Sequence, residues 1–220
     1  MSLTLAIATS GGRNSIAIGQ AGRLSWAGDD AAPESLADAV AAALRAVEAR
    51  PRDIATVAVD IGPGGLGATR CGVAFANALG FALSVPVWPV RSFTCIAAGI
   101  RAGGGGEAPV VCLAPAADGR VYAGLSPAAA GMSGPGAETL RFGDPETVVP
   151  RLTRGLRRFT AAGKARARLA ALCPDAVITD SGIDGPAAAW MIPLVPPHAS
   201  LPPPAAQALP VTEQDPALRA

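Results

Sequence analysis

The sequence has few of the residue types that most metal and acid–base chemistry requires. Its 220 residues include one histidine (His198), one lysine (Lys164) and four cysteines that form no CxxC pair. A structural zinc site needs about four nitrogen or sulfur ligands in compact spacing, so this composition argues against any metal site. His198 has no cysteine or acidic residue within ten positions, and we expect it to be exposed to solvent.

Charged and aromatic residues are also scarce. Only 16% of the residues are charged and 4% aromatic, whereas 50% are hydrophobic and 49 are alanine. Eighteen basic and seventeen acidic residues give a net charge of +1, which supplies no overall field for nucleic acid or membrane. The apolar content excludes a disordered chain and predicts a globular protein with a core of small side chains.

One long uncharged stretch has the length of a membrane span. Residues 71–90 contain no charge, but they include two glycines and two prolines. We interpret the stretch as a buried helix followed by a strand, with Cys71 as a small hydrophobic residue and no membrane contact. The first residues lack the basic region of a secretory signal, so we expect a cytoplasmic protein with reduced thiols.

Hydrophobic periodicity predicts alternating strands and helices in the first half of the chain. Helices that alternate with strands indicate an α/β fold with a partly parallel sheet. The predicted strands are residues 3–8, 15–19, 24–27, 56–61 and 85–90, and the predicted helices are 35–50, 69–83 and 92–100.

Four consecutive glycines predict a domain boundary. Gly103, Gly104, Gly105 and Gly106 offer no side chains to bury, so we expect a linker between lobes 1–102 and 107–220. Beyond this linker the elements are weaker. We predict strands at 110–113, 121–125, 158–161 and 176–179, helices at 146–154, 164–172 and 186–191, and loops at 126–136 and beyond 193.

Two loops have the composition of phosphate-binding loops. Gly62, Pro63 and Gly64 begin a glycine-rich segment before a helix, which favours either an anion cradle or a tight strand-to-helix connection. We expect positive φ at Gly64 and Gly65. The other loop contains Thr9, Ser10, Gly11 and Gly12, and it follows Ala8, which cannot hold a cation.

The segment 151–168 is rich in basic residues. Seven of the eighteen basic residues lie between 147 and 174, and no acidic residue lies among them. A solvated helix face and contact with an RNA backbone remain alternative interpretations.

Three segments together resemble the TsaB (YeaZ) family, bacterial partner proteins in the threonylcarbamoyladenosine modification of tRNA. The first is Leu5-Ala6-Ile7-Ala8-Thr9-Ser10, followed by Ser15-Ile16-Ala17-Ile18. The second runs from Ala58-Val59-Asp60-Ile61-Gly62-Pro63-Gly64 through Arg70-Cys71-Gly72-Val73-Ala74 to Val90-Arg91-Ser92. The third is Ala117-Asp118-Gly119-Arg120-Val121-Tyr122. The family has Asp at position 8 and Ser-Phe-Thr-Gly at residues 65–68, where this chain has Ala and Gly-Leu-Gly-Ala.

This resemblance implies an actin/Hsp70-like (ASKHA, ribonuclease H-like) two-lobed fold, with mixed sheets flanked by helices. It also implies a non-catalytic scaffold that pairs with a TsaD-like catalytic subunit in a complex that a TsaE-like ATPase joins. We therefore expect no catalytic residue, no metal, weak or absent nucleotide binding, a homodimer when the chain is alone, and only indirect contact with tRNA.

The resemblance also assigns roles to particular residues. Thr9, Ser10, Gly11 and Gly12 become a vestigial phosphate loop. The family-motif residues are Gly62, Pro63, Gly64, Arg70 and Gly72. The residues predicted to contact a partner in a four-helix bundle are Ala39, Ala42, Ala43, Ala46, Val73 and Asn77. An active small-molecule kinase or ATPase of the same superfamily remains the alternative, with Asp60 and Asp118 as its candidate catalytic acids.

Overall fold

The computed structural model describes residues 2–30, 35–128, 138–196, 207–215 and 218. The chain divides into two compact units. The first contains Met1–Cys95 and Pro186–Pro210, and the second contains Ile96–Gly185 and Val211–Ala220. Each unit is built on one five-stranded mixed sheet.

The first unit contains a sheet with the strand order β3-β2-β1-β4-β5. Strands β1 to β3 form an antiparallel meander, and β4 and β5 extend it in parallel. The strands are β1 (Leu3–Ala8), β2 (Asn14–Gln20), β3 (Arg23–Asp30), β4 (Ile54–Asp60) and β5 (Val87–Val90). The helices are α1 (Leu36–Ala46), α2 (Leu66–Leu83) and α3 (Ser92–Ala102), which begins in this unit.

The two faces of this sheet bury side chains of different size. Successive residues of a strand point to opposite faces, so β1 and β4 each contribute one large and one small set. The large set, which includes Leu5, Ile7 and Val57, packs against α1 and α2. The small set packs against Met191 and Ile192 of a 3-10 helix, Ala188–Leu194, and consists mainly of Ala6, Ala8, Ala17 and Ala58. Burial on both faces explains why these strands are almost continuously apolar.

The second unit contains a sheet with the strand order β10-β9-β6-β7-β8. Its strands are β6 (Val110–Pro115), β7 (Val121–Ser126), β8 (Thr139–Gly143), β9 (Arg158–Ala162) and β10 (Val177–Asp180). Helices α4 (Pro145–Leu152) and α5 (Leu169–Leu172) supply residues to its core, which is centred on Leu113, Phe159 and Val149.

Most predicted elements are present, with some shifted boundaries. Helix α1 ends at Ala46 instead of residue 50, since Glu48 adopts positive φ (53°) and interrupts the helix. The predicted helix at 164–172 is a 3-10 turn, Arg166–Arg168, followed by the single-turn α5. The sequence prediction missed strand β8 (Thr139–Gly143).

The predicted boundary at residues 103–106 differs from the structural division, which falls within α3. The glycines terminate this helix: Gly105 N–H donates to Ile100 O at 2.8 Å, and Gly104 has positive φ (79°). The predicted C-terminal lobe is also not continuous, because Pro186–Pro210 returns to the first unit, where its 3-10 helix covers the alanine face.

Candidate functional site

The charged residue at the end of β4 is the centre of a buried polar cluster in the first unit. Asp60 is 0% exposed. Its Oδ2 accepts a hydrogen bond from Ser10 N at 2.9 Å, and its Oδ1 accepts from Gly62 N at 2.9 Å and Ser92 Oγ at 2.5 Å. We call Ser10, Asp60, Gly62 and Ser92 the Asp60 node. One carboxylate therefore connects the loop after β1, the loop after β4 and the start of α3.

The two hydroxyl residues of the predicted phosphate loop, Thr9 and Ser10, form hydrogen bonds inside the first unit. Thr9 Oγ1 donates to Ala68 O at 2.8 Å, and Ser10 Oγ shares a hydrogen bond with Ser92 Oγ at 2.8 Å. Ser10 O accepts from Gly65 N at 2.9 Å. Thr9 and Ser10 are buried, whereas Gly11 is half-buried and Gly12 is exposed. Both hydroxyls are thus already hydrogen-bonded within the chain.

Close packing explains the glycines of the family-motif loop. A Cβ at Gly64 would lie 2.5 Å from Ser10 O, and a Cβ at Gly72 would overlap the Thr9 side chain. Positive φ occurs at Gly62 (88°) and not at Gly64 or Gly65, so our prediction of positive φ at those two positions is wrong. Glycine is required at position 64 because a side chain there would clash with Ser10, and not because of its backbone conformation.

The structure brings most, but not all, of the family-motif residues together. Gly64 and Gly72 lie against Ser10 and Thr9, and Gly62 N donates to Asp60. Pro63 is buried, whereas Arg70 is exposed on α2. The sequence suggested Asp60 only as a catalytic acid, and its position at the centre of the node was not predicted. The available signal was a single charged residue at the end of an otherwise apolar strand.

Ala8 and Cys95 are two further buried residues of the first unit. Ala8 is 1% exposed and belongs to the cluster that contains Ala188 and Met191. Cys95 Sγ donates to Ala187 O at 3.3 Å, and burial, followed by the nearby charge of Asp60, raises the pKa of this thiol well above its usual value. Position 8 is therefore part of the apolar core.

Helix α2 exposes an apolar face. Only five of its eighteen residues are buried: Thr69, Gly72, Val73, Ala76 and Gly80. Opposite them lies a surface that we call the outer α2 face, formed by Cys71, Ala74, Ala78 and Phe81. Phe81 is 83% exposed, and Leu66 at the start of the helix is 44% exposed. Cys71 is exposed, so its predicted burial is wrong.

Among the described residues, α2 is also the one helix long and apolar enough to cross a membrane, by length and composition only. Its buried side packs on β4, β1 and β5. The uncharged stretch 71–90 is a helix followed by a strand, as predicted, but the helix is buried on one side only.

The predicted partner residues divide into two groups. Ala42 and Ala46 are exposed, and Ala39 is half-buried. In contrast, Ala43 (0% exposed) and Val73 (3%) belong to the core of their own unit, since each shares a helix side with other core residues. The predicted partner contact is wrong at Ala43 and Val73, because no partner can reach these buried side chains in the folded chain.

Asn77 is half-buried and forms hydrogen bonds within its own unit, and its contact with a partner stays a prediction. Its Nδ2 donates to Ala208 O at 2.9 Å, and its Oδ1 accepts from Ala208 N at 3.0 Å. This side chain therefore holds the segment around residue 208 against α2, and each end of its amide forms one hydrogen bond within the chain.

The remaining candidates belong to the second unit or lie outside the described residues. Asp118, in the second unit, has an 84% exposed side chain and pairs with Arg120 at 3.3 Å. His198 lies outside the described residues. Within the described ranges, no group of three or more His, Cys, Asp or Glu residues is arranged to hold a metal ion.

Comparison with solved structures confirms the predicted fold. YeaZ from Pseudomonas aeruginosa superposes with a TM-score of 0.76 at 22% identity, covering 96% of this chain and 100% of that chain. A second structure, described as an uncharacterized protein from Pseudomonas aeruginosa with similarity to peptidase YEAZ, gives a TM-score of 0.76 at 23% identity, with 96% and 99% coverage. The protein therefore has the actin/Hsp70-like (ASKHA) fold class predicted from its sequence.

Within this class, the chain has the fold of YeaZ (TsaB), as the sequence resemblance implied. The family model of TsaD, tRNA N6-adenosine threonylcarbamoyltransferase, matches residues 31–129, which is less than half of the chain. No curated protein matches this chain.

Proposed function

We propose that this protein is a non-catalytic partner subunit in the threonylcarbamoyladenosine modification of tRNA, and that it pairs with a TsaD-like catalytic subunit. The YeaZ fold and the match of residues 31–129 to the TsaD family support this proposal. The matched segment contains α1 and α2, the two helices of the expected interface.

The outer α2 face is the observation that carries the proposal. Ala74 and Ala78 are small, so a second helix can approach α2 to about 8–10 Å, and Phe81 can then be buried against it. Burial of apolar area stabilises association by about 25 cal/mol per Å² before the costs of association are subtracted.

The match to the TsaD family bears on the choice of partner. A catalytic subunit that contains a segment like residues 31–129 presents a similar pair of helices. Two similar faces can pack about an approximate two-fold axis, as identical faces do in a symmetric dimer. We therefore propose that the same surface forms a homodimer when the chain is alone and a heterodimer with the catalytic subunit.

The geometry of the Asp60 node supports a role without chemistry. Both Asp60 oxygens accept hydrogen bonds within the protein, and the Thr9 and Ser10 hydroxyls do not face solvent. We propose that the isolated chain binds nucleotide weakly or not at all and uses no metal. A TsaE-like ATPase then joins the complex.

Co-purification with the TsaD-like subunit from the same cell tests this proposal. We expect the wild-type chain to elute with that subunit in size-exclusion chromatography. Ala78→Glu places a charge on the outer α2 face and should weaken association by at least about tenfold with an unchanged melting temperature. Ala102→Glu, at an exposed position near the end of α3, is the matched control and should retain association. Equal association of both variants would exclude this face as the interface.

A further inference from the structure

Four arginines cluster at one end of the second sheet. Arg151 lies in the last turn of α4, Arg154 in the connecting loop, and Arg157 and Arg158 at the start of β9. All four are exposed, and we call them the arginine patch. Lys164 follows the opposite end of β9, and at about 3.3 Å per residue the strand separates it from the patch by about 13 Å.

The arginine patch differs from the neighbouring basic residues in its ionic partners. Arg166 pairs with Asp180 and Asp184, and Arg168 pairs with Glu146. By contrast, none of the four patch side chains forms an ion pair or hydrogen bond with a described residue. The patch is therefore a local concentration of positive charge in a chain whose net charge is only +1.

The loop that carries the patch is anchored to the core. Thr153 Oγ1 donates to Val149 O at 2.9 Å, and Leu156 N donates to Thr153 O at 2.9 Å. Leu156 packs against the core of the second unit, and Gly155 provides the positive φ (82°) of the turn. The backbone beneath the arginines is thus ordered before any ligand binds, which lowers the entropic cost of binding.

We propose that the arginine patch binds the phosphate backbone of RNA, so that this subunit contacts tRNA directly and not, as the family resemblance implied, only indirectly. The proposal rests on the proposed function, which makes tRNA the substrate of the complex. Guanidinium groups donate paired hydrogen bonds to phosphate oxygens, and clustered arginines are repelled by one another until an anion neutralises them. Such contacts position an RNA without reading its sequence.

Fluorescence anisotropy with an unmodified tRNA transcript tests the proposal at 50 and 200 mM KCl. The test variant carries Arg154→Gln, Arg157→Gln and Arg158→Gln. The control variant carries Arg23→Gln, Arg50→Gln and Arg52→Gln, which remove the same charge from exposed positions of the first unit. Circular dichroism establishes that both variants are folded.

We expect the plot of log K against log salt to become less steep by about two in the test variant, because each lost phosphate contact removes about 0.7–0.9 from the slope. The control variant should keep the wild-type slope. Equal slopes for the two variants, wild-type affinity independent of salt, or preferential binding of phosphatidylserine vesicles over tRNA would each overturn the proposal.

Co-purification with the catalytic subunit separates this proposal from the proposed function. Both arginine variants should still associate with that subunit, since the outer α2 face is intact. Salt-independent tRNA binding by the wild-type chain, or equal slopes for the two arginine variants, together with normal association would overturn only the RNA contact. Salt-dependent tRNA binding without any association would overturn only the subunit pairing.

Discussion

The Asp60 node and the outer α2 face lie in the same unit, but the node buries polar groups whereas the face exposes apolar side chains. In the node, a fully buried carboxylate has three hydrogen-bond donors from three separate segments. On the outer α2 face, Phe81 and small apolar side chains remain exposed. The polar groups of the node are enclosed, whereas the apolar side chains of the outer α2 face are accessible. This contrast favours a protein that acts by binding another protein.

Asp60→Ala should give the largest effect on stability. The substitution leaves two backbone N–H groups and the Ser92 hydroxyl without their acceptor in a buried place, which costs about 3–5 kcal/mol. Urea denaturation measures this change, with Asp175→Ala at an exposed position as the control, expected within about 0.5 kcal/mol of wild type. Wild-type stability in Asp60→Ala would show that the node does not hold the three segments together.

Gly64→Val should give an intermediate loss of about 1–3 kcal/mol. The new side chain would clash with Ser10 and push apart the loops after β1 and β4. Gly67→Ala is the matched control, because a Cβ there meets nothing within 4 Å and alanine favours the helix by about 0.5–1 kcal/mol. If thermal melts gave both variants the same stability, close packing at Gly64 would not be the reason for its glycine.

Ala42→Glu and Ala46→Glu should change stability by no more than about 0.5 kcal/mol, because both positions of α1 are exposed. If α1 contributes to the same interface as α2, light scattering should show loss of the homodimer and of the complex. Retention of both associations would restrict the interface to α2. A lowered melting temperature would mean that these positions are less accessible than the structure shows.

The exposed carboxylate of Asp180 should give the smallest effect. A hydrogen bond from the Gly182 backbone, and then the Arg166 guanidinium, hold the pKa of Asp180 below its usual value. Its stabilising contribution is therefore present above about pH 4 and is lost as the pH falls through the lower pKa of the folded state. Asp180→Asn should remove this part of the acid dependence, which titration monitored by NMR detects. An unchanged acid titration would contradict the assignment.

The strands of the first unit were predictable because their pattern is local. Residues 3–8 are apolar and end at a turn, and β1 has those bounds in the structure. The length of α1 was not predictable in the same way, because its end depends on the left-handed backbone of Glu48. Strand β8 was missed because its short sequence becomes a strand only through pairing with β7.

The sequence indicated which residues form the site, but not which way their polar groups point. The sequence shows Thr9, Ser10 and the glycines after Asp60, but it does not show whether their polar groups face a ligand or one another. That depends on contacts between residues 50 or more positions apart, such as Ser10 with Asp60 and with Ser92. The same limit applies to α2, where helical spacing alone does not distinguish the side that packs on the sheet from the side that faces outward.

The most direct test of the account is threonylcarbamoyl transfer to tRNA by the TsaD-like subunit, measured with wild-type chain, Ala78→Glu, Ala102→Glu and Asp118→Asn. The account predicts that transfer depends on the chain, that Ala78→Glu fails to support it, and that Ala102→Glu and Asp118→Asn support it normally. Turnover by the isolated chain that disappears in Asp118→Asn, or full support of transfer by Ala78→Glu, would contradict the account.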